Sequence, residues 1–123
     1  MYLKDGATLE METAQIKGVD STVRTTNGVL ENNSTFVITE KLMTHGNQNT
    51  KTEFNLQLNG ENSSAQVISR AVATEDSIQV FESRIYGNNK CFSHVECDAI
   101  IKDNAKVTSI PEITANDIDA NLI

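Results

Sequence analysis

The chain has 123 residues, a net charge of −7, 38% apolar side chains, 5% aromatic side chains and no Trp. That length gives one domain, with a core built from small and β-branched aliphatics. An acidic balance with no cluster of Lys, Arg and aromatics would repel nucleic acid. No apolar run approaches the ~20 residues that span a bilayer and no signal-peptide pattern opens the chain, so no membrane and a cytoplasmic location are expected.

In chain order, period-2 runs dominate and helical periods are nearly absent. Strands are expected over residues 7–19 (with Leu9, Met11 and Ile16), 23–31, 34–43 (Phe36, Ile38), 52–58 (Phe54, Leu56, Leu58) and 65–73. Further strands follow over 77–85, 95–101 and 105–110, all rich in Val, Ile and Thr. Between them lie Asp5-Gly6, Lys17-Gly18, Asn27-Gly28, Asn32-Asn33, His45-Gly46-Asn47, Asn59-Gly60, Glu75-Asp76, Gly87-Asn88-Asn89 and Asp103-Asn104. Asn and Gly tolerate the left-handed backbone that corners need. From Asn33 onward these corners recur every 13 to 15 residues. Short strands at even spacing suggest a sandwich, a barrel or a stacked β-solenoid. Few aromatics and many corner Asn favour the solenoid, with a β-sandwich as the alternative fold. Only the tail, residues 113–120 after Pro111, carries helical potential. The apolar end Asn121-Leu122-Ile123 offers no cap for an open solenoid, so the chain is expected to be a fragment of a longer one.

Both cysteines lie in one stretch, Cys91-x-x-His94-x-x-Cys97. On one strand their α-carbons would be ~20 Å apart, beyond disulfide reach, so free thiols are expected. Alternation turns Val95, Cys97, Ala99 and Ile101 one way and His94, Glu96, Asp98 and Ile100 the other. A metal site from Cys91, His94 and Cys97 in one chain is therefore disfavoured, whereas a site shared between two chains is less constrained. Cys97, His94 and Glu96 are the candidate soft-metal ligands. Their plainer reading is a small buried thiol and a solvent-facing polar row. His45 reads as corner chemistry. Six carboxylates from Glu96 onward face only Lys102 and Lys106, a net −4 that reads as a solvated face. No phosphate-cradling Gly loop, nucleophile elbow or triad context is present, so no enzyme activity is expected.

Glu96-Cys97-Asp98-Ala99-Ile100-Ile101-x-x-x-Ala105, with Pro111-Glu112-Ile113 and Asp119-Ala120, resembles the SufB/SufD family, scaffold subunits of SUF iron–sulfur cluster assembly. Upstream, Gly60-Glu61-Asn62-Ser63-Ser64-Ala65 and Ile68-Ser69-Arg70-Ala71 are similar to coils of that family. The resemblance covers residues 59–120. It implies a right-handed parallel β-helix core in residues 1–123, lacking the C-terminal helical region that binds an ABC-type ATPase (SufC-like). It implies pairing with a second copy or a SufB/SufD paralogue, and a transient iron–sulfur cluster held between partners. Cys97 matches the SufB-type cysteine that accepts sulfur and helps hold the cluster; His94, Glu96 and Cys91 match no defined family ligand. The family's His-containing ligand run would follow Ile123. The alternative to this reading is a structural, adhesin-like β-solenoid with an inert Cys97. A carbohydrate-active β-helix is a third, but no clustered acids on one coil face are visible.

Overall fold

A computed structural model describes residues 1–15 and 21–123. Its elements are β1 (Tyr2–Leu3), β2 (Thr8–Gln15), β3 (Ser21–Leu30), β4 (Thr35–Thr44), β5 (Asn49–Leu58), β6 (Ser63–Ala73), β7 (Ile78–Gly87), β8 (Cys91–Ile101), β9 (Lys106–Ala115) and β10 (Asn121–Leu122). Ile16, Lys17-Gly18 and the end of the strand expected over 7–19 fall outside the described residues.

Odd-numbered strands form one sheet in the order β1-β3-β5-β7-β9, and even-numbered strands form the other, β10-β8-β6-β4-β2. Every pairing is parallel, and each residue lies beside the one 27 to 29 positions later. The chain is thus a parallel β-solenoid of about four turns, with one strand per sheet in each turn. The 13-to-15-residue corner spacing is half a coil. The sandwich alternative shares the two layers, but consecutive strands here alternate between sheets and, among the described residues, none pairs antiparallel.

Stacked corners repeat the same backbone solution. Gly6, Asn33 and Asn62 take φ values of 74°, 57° and 59° along one edge, and Gly46, Glu75 and Asp103 take 61°, 59° and 63° along the other. Ser34, Ser63 and Ser77 hydroxyls each donate to the carbonyl three residues earlier. Asn116 donates to Asn88 and Asn88 to Asn59, an amide ladder that ties successive coils. Like residues in register thus hydrogen-bond to one another along the stack.

Inside, alternation buries Phe36, Ile38, Phe54, Leu56, Leu58, Val67, Phe81 and Ile85 between the sheets. Phe54 and Phe81 meet with centroids 5.8 Å apart. The helical potential of residues 113–120 is not realised. β9 carries the strand to Ala115, a turn follows, and β10 starts another coil on β8. Pro111 sits within β9, an edge strand among the described residues, where proline is tolerated. Tertiary pairing overrides the weak local signal.

Candidate functional site

Cys97 lies on the inner face of β8, as alternation requires, and is half-buried. Its register partner on β6 is Ser69. Across the interior, Ser109 of β9 lies near the same sulfur, so Cys97 has a serine hydroxyl on each side. Burial pushes the Cys97 thiol up from its ordinary value; Ser109 and then Ser69 pull it down, and the Asp98 carboxylate adds to the rise. β10 pairs with β8 only at Phe92 and Ser93, so the stretch of β8 bearing Cys97 has no described strand on its outer side.

His94 and Glu96 occupy the opposite, outward face, with His94 Nε2 and Glu96 Oε2 4.0 Å apart. The three candidate ligands are therefore split: His94 and Glu96 come together, and Cys97 does not join them. Among the described residues no three His, Cys, Asp or Glu side chains are grouped to hold a metal ion. Both cysteines are free. Cys91 is buried in the core beside a cleft of about 430 Å³ lined by Ser63, Lys90, Phe92 and Asn121, and burial raises its thiol too. His45 sits at a corner, where its amide donates to Gln48 Oε1.

Cys97 also ends an interior row absent from the period-2 reading. Thr13, Glu40, Ser69 and Cys97 are successive register partners. Opposite them run Arg24, Thr52, Phe81 and Ser109. Glu40 is 1% exposed; its Oε1 accepts from Arg24 Nη1 at 3.0 Å and Thr52 Oγ1 at 3.5 Å, while Oε2 has no hydrogen-bond partner among the described residues. Burial raises the Glu40 carboxyl, and Arg24 and Thr52 only partly oppose this. The signal for Ser69 is present in the sequence, 28 residues before Cys97, but it is meaningful only once the coil length is known. Ser109, twelve residues after Cys97, needs the fold across the corner.

A two-sheet parallel solenoid with a hydroxyl-flanked inward cysteine on its last long coil is the class of protein defined here. The family model for the SUF system FeS cluster assembly SufBD core domain matches residues 1–122. The chain belongs to that family, which takes part in iron–sulfur cluster assembly. It is also similar to an iron–sulfur cluster assembly SufBD family protein of Methanocaldococcus jannaschii, 35% identical over 68 residues. That match covers 54% of this chain and 22% of the relative. No solved structure matches the chain.

Proposed function

We propose that the chain is the β-helix core of a SufB-like assembly scaffold, a binding component without enzyme activity of its own. The observation that carries this is the half-buried, inward thiol of Cys97 on a stretch of β8 with no described strand on its outer side. In this reading a second copy or a SufB/SufD paralogue supplies the further ligands. His94 and Glu96, on the outer face of the same edge strand, are secondary candidates to meet such a partner. A SufC-like ABC ATPase would bind through sequence beyond these residues. Both thiols are free, which suits the reducing cytoplasm.

In this reading the Cys97 thiolate attacks the terminal sulfur of a donor persulfide. A new S–S bond forms at Cys97, the donor's S–S bond breaks, and the donor leaves as a thiolate. Once an external two-electron reductant brings the Cys97-bound sulfur to the sulfide level, Cys97 and a ligand from the partner would hold the iron and sulfide as transient cargo. Cys97→Ser in the full-length protein with its partners should abolish cluster build-up under anaerobic reconstitution, read from visible charge-transfer absorbance, with the circular dichroism unchanged. Undiminished cluster yield would remove Cys97 from the mechanism and favour a purely structural solenoid.

A further inference from the structure

The outer faces of the two sheets place their charges differently. On the odd-numbered sheet, Lys51 and Arg84 pair with Glu53, Glu82 and Glu112 in one connected set of contacts between 2.8 and 3.5 Å. On the even-numbered sheet, Lys41, Arg70 and Asp98 are successive register partners on β4, β6 and β8. Among the described residues, Arg70 and Asp98 take part in no ion pair, and Lys41 reaches only Glu12, at 3.5 Å. Two residues further along the same strands, and so on the same face, Met43, Val72 and Ile100 form an apolar row. Met43 is 44% exposed and Ile100 68%. The two rows line a groove of about 310 Å³.

We propose that this outer face of β4, β6 and β8 docks a second copy of the chain, about a two-fold axis running along β6. Rotation by half a turn about that line keeps the strand direction and exchanges β4 with β8, an aligned packing of sheet on sheet with an isologous interface. Val72 then meets the partner's Val72, Met43 meets the partner's Ile100, and Lys41 meets the partner's Asp98. Arg70 sits at the axis between its own Asp98 and the partner's Asp98, which offsets the approach of the two guanidinium groups. The order of charges across the strands, two positive and then one negative, selects this occupant. A segment of one charge sign would satisfy one end of the groove and oppose the other, whereas the same row reversed sets opposite signs together at both ends. The three strands are ten or eleven residues long and present roughly 500 Å² per copy at ordinary strand spacing. That is ~1,000 Å² in total, the lower end for a specific interface, so the dimer is weak. It uses the outer face of the sheet rather than the interior face bearing Cys97, and does not rest on the scaffold reading.

The test is sedimentation equilibrium of the chain at neutral pH from about 1 μM to about 1 mM, with circular dichroism confirming the fold of each variant. The chain should show a monomer–dimer equilibrium. Val72→Asp, which sets two carboxylates against each other on the axis, should weaken it at least about tenfold. Lys41→Asp and Asp98→Lys should each weaken it about tenfold by facing like charges. The double variant should return it to within about threefold of the parent. Within one chain the two side chains stand two strands apart, so the rescue reports on their meeting across the axis. Where Val72→Asp disturbs the fold, the exposed charge pair decides alone. A chain monomeric throughout overturns the proposal and leaves the groove to a segment of another protein. A dimer indifferent to a folded Val72→Asp variant, or a charge swap that does not restore it, overturns it as well and places the contact elsewhere. No iron or sulfur donor enters the measurement, so its outcome is independent of whether Cys97→Ser still builds cluster.

Discussion

Replacing Gly60 by Ala tests the coil stacking on which everything else depends. Gly60 lies in the corner between β5 and β6, and its amide donates to the Leu30 carbonyl of the preceding coil at 3.0 Å. A Cβ built there runs into the backbone of Glu31 and Asn32, not into a side chain that could swing aside. Relief requires the two corners to separate. That strains the Asn33 amide to Glu61 carbonyl bond at 2.9 Å and the Glu61 amide to Asn32 Oδ1 bond at 2.8 Å. Overpacking costs about 1–3 kcal/mol and each weakened hydrogen bond about 1 kcal/mol. The stiffer unfolded chain returns about 0.5–1 kcal/mol. The net is a loss of about 3 kcal/mol, or roughly 10 °C in Tm for a chain of this size. Gly46→Ala is the control: its Cβ meets nothing within 4 Å and its φ of +61° imposes only the left-handed penalty, about 1–2 kcal/mol. Thermal unfolding followed by circular dichroism compares the two. A Gly60→Ala loss no larger than that of Gly46→Ala would refute the close corner stacking.

Two further outcomes follow from the interior. Glu40 has a raised pKa in the fold, so the folded state holds its proton more tightly than the unfolded chain does. Its contribution therefore falls as pH rises from about 4.5 through the raised value. Glu40→Gln keeps an acceptor for Arg24 and Thr52, and should flatten that part of the stability–pH curve in denaturant titrations. A parallel curve of unchanged slope would show that Glu40 does not titrate there. Phe54→Ala removes a ring that is 1% exposed and packed on Phe81, and should cost about 3–5 kcal/mol in the same assay. A loss under 1 kcal/mol would mean the space between the sheets collapses freely.

Much of the fold is readable from local pattern because strand period and corner chemistry are short-range properties. Phe36 and Ile38, Phe54, Leu56 and Leu58, and the shared face of Val95, Cys97, Ala99 and Ile101 follow from alternation alone, although Ala99 and Ile101 are exposed. The corner Asn and Gly follow from the left-handed geometry they tolerate. The free thiols follow from the length of an extended strand, and the family from the Cys-Asp strand followed by Pro-Glu-Ile. The tail misleads for the same reason: residues 113–120 have weak helical preference, and pairing of β9 on β7 outweighs it.

What the sequence by itself determined is which way each side chain of a strand points, because that depends only on neighbours one or two residues away. What only the tertiary structure decided is which distant residues share a layer of the interior. Ser69 and Ser109 meet at Cys97, and Arg24 meets Glu40, because the coil returns every 27 to 29 residues with β8 facing β9 and β3 facing β4. Register between coils is fixed by the summed packing and corner hydrogen bonds of the whole stack. No single stretch carries it, and the surroundings of the Cys97 sulfur depend on that sum.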